Sequence, residues 1–175
     1  MKLTTQEEYG LRCLLQLARL SPSAGGRGGA DVAGSLTIPE LSKREGISAA
    51  NVAKIMRVLR RAGFVRSTRG QAGGYALARP AEEIVVSEVI GRLGGPLYDA
   101  SFCQRHSGVS DSCAHLGDCS IRPVLRHVQD AIDEVLGRLT LASLLRSERE
   151  VAAWTGARGR ALPVISVTEG RDAGR

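Results

Sequence analysis

The chain has 175 residues, of which 43% are hydrophobic and 24% charged, and its formal net charge is +6. This composition is typical of a soluble globular protein with one domain or two small ones, and it excludes disorder along the whole chain. The chain contains no run of 18 apolar residues, and its opening MKLTTQEEYG lacks the basic and apolar regions of a secretory signal. We therefore expect a cytoplasmic protein with no membrane partner. The positive charge is informative only through its location.

The first predicted element is a helix over residues 5–20. Its apolar residues recur at helical spacing, Thr4 or Thr5 is the expected N-cap, and acidic Glu8 lies in the first turn, where the helix dipole favours negative charge. Cys13 lies among the leucines of this helix, so we expect a small buried apolar side chain there. The following residues, 21–35, are rich in glycine and other small residues, which predicts a flexible surface loop.

A winged helix-turn-helix is predicted for the next part of the chain. Residues 39–45 form a short helix, Gly46 ends it, and Ser48 caps a second helix that stops at Gly63. The segments FVRST and YALAR then read as two strands joined by the turn RGQAGG, which suits a β-hairpin. The predicted fold class is therefore mainly α with a small β wing.

Most of the basic charge falls in this segment. Residues 36–80 contain nine basic and two acidic side chains, a local charge of +7 in a chain of +6. Such a concentration indicates nucleic-acid binding, with the start of the second helix entering the major groove. The residues that this places near bases or phosphates are Ser48, Ala49, Asn51, Lys54 and Arg57.

Two of these positions have a specific expected contact and an ordinary alternative. Asn51 has the donor and acceptor that read adenine, or it is a solvated polar residue. Arg69, beside Gly70 at the tip of the hairpin, reaches into a narrow minor groove or touches only phosphate.

The remainder of the chain is predicted to hold a helix over 87–93, an irregular stretch to Ser120, and a long helix that Ser120 caps. The apolar stripe of the long helix ends at Leu139 and is a candidate for dimerisation. A short closing helix follows over 140–145. The expected organisation is a DNA-binding domain at 1–93, a cysteine loop at 94–120, the dimerisation and closing helices at 121–146, and a variable tail at 147–175.

Three cysteines, Cys103, Cys113 and Cys119, form the pattern C-x9-C-x5-C. This spacing is looser than the C-x2-C pairs of structural zinc sites, and thiolates so spaced can surround an iron–sulfur cluster. Zinc bound with His106 or His115, and a thiol switch or inert cysteines, remain alternatives. A disulfide is disfavoured by the expected compartment and by the odd number of cysteines in the loop.

The opening MKLTTQEEYGLRCLLQLARL, the block NVAKIMRVLRRAGFVRSTRGQAGGY, the cysteine loop and the closing RLTLASLL resemble the Rrf2 family of bacterial winged-helix regulators over about residues 1–146. The resemblance implies a homodimer whose long helices, here 123–139, cross so that the cysteine loop of one subunit lies beside the DNA-binding domain of the other. It implies that Cys103, Cys113 and Cys119 hold a [4Fe-4S] or [2Fe-2S] cluster and that Arg69 is the minor-groove arginine.

The fourth cluster ligand is where this chain departs from the family. Members that regulate cluster biogenesis have a histidine three residues after the last cysteine, where this chain has Arg122. Members that sense nitric oxide use an aspartate of the first helix across the dimer, and Glu8 stands at the matching place. Glu8 is therefore the expected fourth ligand, with His115 or an external ligand as alternatives.

The function expected from these features is a dimeric repressor that binds a pseudo-palindromic double-stranded DNA operator and responds to nitric oxide or redox stress through its cluster. A regulator of iron or cluster supply in the same family is one alternative. A zinc-binding protein whose basic face meets a protein partner is another. The sequence shows no paired nucleophile and base, phosphate loop or plausible carboxylate pair, so we expect no enzyme.

Overall fold

The computed structural model describes residues 3–21, 34–68, 73–99, 101–105, 113–115 and 117–158. The chain divides into two compact units, Met1–Leu145 and Arg146–Arg175. The described helices of the first unit are α1 (Thr5–Arg19), α2 (Ile38–Glu45), α3 (Ala49–Arg61), α4 (Val86–Leu93), α5 (Phe102–Arg105) and α6 (Ile121–Gly137). Its strands are β1 (Val65–Thr68) and β2 (Gly74–Leu77), and short 3₁₀ turns occupy Ala81–Glu83 and Ala142–Leu145. The second unit contains α7 (Glu148–Arg158).

Helix α1 begins with a capping box. The Thr4 hydroxyl accepts a hydrogen bond from the Glu7 backbone N–H at 3.3 Å, and the Glu7 carboxylate accepts one from the Thr4 N–H at 2.6 Å. This arrangement satisfies two backbone donors that a helix start would leave free. Cys13 is fully buried on the inner face of α1, as the sequence predicted.

The predicted helix-turn-helix is confirmed. Gly46 ends α2 with φ +66°, a left-handed conformation that a side chain would make costly. Two residues later the Ser48 hydroxyl accepts a hydrogen bond from the Asn51 N–H at 3.4 Å and caps α3. The apolar face of α3 is buried, and its residues are Val52, Ile55, Met56 and Leu59.

The wing is an antiparallel pair in which Val65 lies opposite Leu77 and Thr68 opposite Gly74. The backbone of Leu36 extends it through two hydrogen bonds with Tyr75, at 2.8 and 2.9 Å. A Cβ atom at Gly74 would lie 2.9 Å from the Leu36 carbonyl, so this close approach requires glycine. The predicted tip residues Arg69 and Gly70 lie outside the described residues.

A single hydrophobic cluster joins α1, the helix-turn-helix, the wing and the closing segment. Leu141 is fully buried in it, and its N–H donates to the Ile84 carbonyl at 2.8 Å. The closing segment predicted as a helix is a 3₁₀ turn over Ala142–Leu145. The core thus holds α3 in place through its buried face.

The region after α4 differs from expectation in three places. The predicted cap at Ser120 is wrong: its φ of −66° and ψ of −21° are already helical, and its side chain makes no capping hydrogen bond. Helix α5 lies inside the stretch expected to be irregular, and α7 occupies part of the expected tail. Most of the predicted loop 21–35 and residues 159–175 lie outside the described residues. Among the described helices, none has the length and apolarity needed to span a membrane.

Candidate nucleic-acid interface and cysteine loop

The outward face of α3 begins with small and polar side chains. Ala49, Ala50 and Asn51 are exposed in its first turn, and Lys54 and Arg57 are exposed further along. Because the opposite face is locked into the core, these side chains are presented on a rigid element. Ser48 is exposed, but the cap occupies its hydroxyl as an acceptor.

Exposed cations lie on α3 and on the elements before and after it. Lys43 and Arg44 are exposed in the last turn of α2, where they also interact favourably with the helix dipole. At the far end of α3, Arg60 donates to the Ser67 hydroxyl at 3.5 Å and so approaches strand β1. The exposed basic residues of α2, α3 and β1 are Lys43, Arg44, Lys54, Arg57, Arg60, Arg61 and Arg66.

Some charged side chains of residues 36–80 already have partners within the chain, among them Arg79 and Glu40. Arg79 pairs with Glu88 at 2.7 Å, and its guanidinium carbon lies 5.5 Å from the centre of the Phe64 ring. It therefore offers less to a phosphate than its charge suggests. Glu40 accepts hydrogen bonds from the Thr37 backbone and hydroxyl, which lower the pKa of its carboxyl.

Helix α1 is attached to the end of α2 by a contact that sequence reasoning missed. Arg12 donates to the Glu45 carboxylate at 2.7 Å and to the Glu45 carbonyl at 2.6 Å, while Gln16 donates to the other carboxylate oxygen. The hydrogen bond and charge of Glu45 raise the pKa of Arg12. One signal was available, because an acidic residue at a helix C-terminus opposes the dipole and calls for a compensating partner.

Glu8 lies one turn before Arg12 on the same side of α1. Its carboxylate accepts a hydrogen bond from Arg12 at 3.3 Å, and its side chain is 56% exposed. It is therefore accessible from solvent, and its present partner is a cation.

The cysteines fall into two classes. Cys13 is buried, and desolvation raises the pKa of its thiol to about 11. Cys103, Cys113 and Cys119 are free thiols of intermediate exposure, with Cys103 on α5 and Cys119 just before α6. Thiols with this accessibility are suitable ligands for an iron–sulfur cluster.

The described chain does not assemble these donors into a site. Among the residues with described positions, no group of three cysteine, histidine, aspartate or glutamate side chains is close enough to hold a metal ion. The three loop thiols and Glu8 are therefore suitable in chemistry but are not gathered in one place. His115 is exposed, and its carbonyl accepts a hydrogen bond from Arg122 at 3.1 Å; His106 lies outside the described residues.

The long helix α6 leaves much of its predicted apolar stripe uncovered. Val124 is 60% exposed and Val135 is 56% exposed, whereas Leu139 at the end of the stripe is only 7% exposed. Ile121 and Val128 are also exposed apolar residues of this helix.

Comparisons with known proteins agree on one family. The family model Rrf2, described as an iron-dependent transcriptional regulator, matches residues 3–147. The chain is 33% identical over 146 residues to Protein rrf2 of Nitratidesulfovibrio vulgaris, covering 83% of this chain and 88% of that protein.

The solved structures that resemble this chain include regulators of the same kind. The global cysteine regulator CymR of B. subtilis matches with a TM-score of 0.61 and 26% identity, covering 83% of this chain and 96% of that one. The T. potens IscR structure matches with a TM-score of 0.60 and 28% identity, covering 83% and 86%. These relatives are transcriptional regulators and not enzymes. The chain therefore belongs to the Rrf2 family of winged-helix transcriptional regulators.

Proposed function

We propose that the protein is a cytoplasmic, homodimeric repressor whose affinity for a DNA operator depends on an iron–sulfur cluster that senses nitric oxide or redox stress. The observation that carries the DNA-binding part is the rigid outward face of α3, together with the exposed cations of α2, α3 and β1. In this family that chemistry fits the phosphate backbone and the major groove of double-stranded DNA.

The DNA contacts divide into reading and positioning roles. Ser48, Ala49 and Asn51 lie at the end of α3 that enters the groove, whereas Lys54 and Arg57 contact phosphates or bases further along. For Arg69, which precedes Gly70 in the sequence between β1 and β2, the proposed role is to enter the adjacent minor groove.

The dimer is formed through α6. A row of exposed valine and isoleucine side chains is unfavourable in water, and a second copy of the same helix covers it. The resulting two-fold symmetry presents two α3 helices and requires a pseudo-palindromic operator. Val135→Glu should therefore shift the protein to monomer in sedimentation without unfolding it. The exposed Glu134→Gln is the matched control; equal dimerisation of both variants would refute this interface.

The regulatory part rests on the donor set of the loop. Cys103, Cys113 and Cys119 supply three thiolates, and Glu8 of the partner subunit supplies an oxygen ligand. A bound iron–sulfur cluster supplies redox chemistry and a site where nitric oxide reacts. Engagement of Glu8 removes it from Arg12, which is also bonded to Glu45 at the helix-turn-helix.

One alternative within the family keeps the same fold and DNA contacts. The family description as an iron-dependent regulator favours iron or cluster supply as the signal. A zinc-binding interaction protein is the alternative from another class, since three free thiols also suit zinc.

Anaerobic purification followed by visible spectroscopy and iron and sulfide analysis tests the proposal. We expect a coloured protein with stoichiometric sulfide, loss of colour in Cys103→Ala, Cys113→Ala and Cys119→Ala, and retention of colour in the matched variant Cys13→Ala. A colourless protein that contains zinc and no sulfide would contradict the cluster. Footprinting of the same samples before and after exposure to nitric oxide distinguishes a nitric oxide sensor from an iron-supply regulator.

A further inference from the structure

We propose that the first turn of α3 reads adjacent A·T pairs, with the Ala50 methyl against a thymine C5-methyl and the Asn51 amide on adenine. This inference rests on the proposed DNA-binding function and names the base sequence that the same surface selects. The operator should carry such a doublet in each half-site.

Helical periodicity separates two kinds of side chain on the exposed face. With about 3.6 residues per turn, Ala50, Lys54 and Arg57 follow the centre of that face. Ala49 and Ala53 flank the centre on one side, and Asn51 flanks it on the other. The end of the helix that goes deepest into the groove therefore presents methyl groups on one side and an amide on the other.

The side chains available there select against a guanine readout. Bidentate recognition of guanine uses arginine or lysine, and α3 has neither before Lys54 in its second turn. Alanine offers only a methyl group, and the apolar partner that a base edge provides in the major groove is the methyl of thymine. Because alanine is short, the backbone of α3 can approach the bases closely.

Asn51 is free to make the second contact. Its backbone N–H donates to the Ser48 hydroxyl, but its side chain is exposed and makes no hydrogen bond to the described residues. The amide NH₂ of Asn51 can therefore donate a hydrogen bond to N7 of adenine, and the amide oxygen can accept one from the N6 amino group. This is the pair of contacts by which asparagine recognises adenine.

The exposed cations of α2 and α3 supply the phosphate contacts of this proposal. Lys43 and Arg44 lie in the last turn of α2, and Arg60 and Arg61 lie in the last turn of α3; all four are exposed. Phosphate contacts from these positions set the register of the helix but carry no base preference. Base specificity in the first turn of α3 then depends on the alanines and Asn51.

The test begins with selection of duplexes from a random library by the full-length protein, both as anaerobically purified and after removal of metal. Affinities are then measured on the selected duplex and on two analogues. In one, the selected thymine is deoxyuridine, which removes only the C5-methyl; in the other, the adenine is 7-deazaadenine, which removes only the N7 acceptor. The proteins compared are wild type, Ala50→Gly, Asn51→Ala and, as control, Arg61→Ala.

For wild type we expect a loss of about fourfold per half-site on the deoxyuridine duplex and about fivefold on the 7-deazaadenine duplex. Ala50→Gly should lose the first discrimination and keep the second, and Asn51→Ala should do the reverse. Arg61→Ala should bind all three duplexes more weakly while keeping both ratios. Each ratio compares the affinities of one protein for the selected duplex and for one analogue. A variant with a smaller folded fraction therefore keeps its ratios and does not imitate the expected result.

A selected motif without A·T pairs in its half-sites, or a wild-type affinity unchanged by both analogues, would overturn this inference while leaving DNA binding intact. Failure of both protein forms to enrich any duplex over the random pool would instead overturn the proposed function, and the base preference with it.

Discussion

The contact between Arg12 and Glu45 should contribute measurably to the stability of the DNA-binding domain. Arg12→Met keeps most of the length of the side chain but removes the hydrogen bonds to the Glu45 carboxylate and carbonyl. The Glu45 side chain is only 9% exposed, and Gln16 would remain as its partner. The variant therefore leaves a nearly buried carboxylate without its cation.

The magnitude follows from the exposure of the two partners. A hydrogen bond to a charged group contributes about 1.5 to 3 kcal/mol, whereas exposed ion pairs contribute about 0 to 1 kcal/mol. The Arg12 side chain is 39% exposed, which places this pair between the two cases. We expect Arg12→Met to lower the free energy of unfolding by about 2 kcal/mol, less than the full loss of a buried pair.

The assay is urea unfolding of the full-length protein at neutral pH, with a thermal midpoint as a second measurement. A loss of this size lowers the midpoint by about 4 to 8 °C for a unit of this length. Glu8→Gln is the matched control, because it removes the other, exposed partner of Arg12 and should cost less than about 0.5 kcal/mol. A double-mutant cycle with Glu45→Gln isolates the pair.

Equal stability of Arg12→Met and Glu8→Gln would refute the reasoning, since it would mean that the contact to Glu45 is no stronger than an ordinary surface pair. Additive effects of Arg12→Met and Glu45→Gln would refute it in a second way.

Three further properties follow from the described geometry. Gly46→Ala should lower the free energy of unfolding in urea by about 1 to 2 kcal/mol, because φ at this position is +66°. The added methyl group would meet no neighbouring atom of the described residues, so the loss comes from backbone strain alone. For Cys13, whose pKa is raised from 9.0 to about 11, folded and unfolded thiols are both protonated below pH 9; as pH rises from 9 to 11 only the unfolded chain ionises, so stability should fall there, and Cys13→Ala should remove that slope. Arg57→Ala should reduce the salt slope of operator binding by about 0.9 for each phosphate contact, whereas Arg79→Ala should leave it unchanged because Glu88 already neutralises Arg79; equal slopes in the two variants would contradict this assignment.

The helix-turn-helix was predictable because its signals are local. Thr37 and Glu40 form a capping box, Gly46 provides the left-handed turn, and Ser48 caps the next helix, all within twelve consecutive residues. Each of these residues has one conformational role that can be recognised without its tertiary partners.

The contact from Arg12 to Glu45 was not predictable in the same way. Its partners are 33 residues apart, and neither periodicity nor capping specifies which arginine faces which glutamate. The predicted cap at Ser120 failed for a related reason. The residue type favours a cap, but the chain enters α6 with Ser120 already helical, so its side chain is not placed to accept the bond.

At the cysteine loop, too, the residue types of the ligands can be predicted but their positions in space cannot. The sequence identifies three candidate thiolate ligands, but whether they come together depends on the path of the backbone between them. Cys119 and the first residue of α6, Ile121, are separated by Ser120 alone. In the proposed sensor, a ligand that draws Cys119 toward the other thiols therefore acts directly on the first turn of α6. Ile121 and Val124 in that turn belong to the exposed apolar face of α6, which a second subunit covers in the proposed dimer. In this proposal, formation of the cluster and packing of the dimer both depend on the first turn of α6, whereas the outward face of α3 is already held in place by the core of one chain.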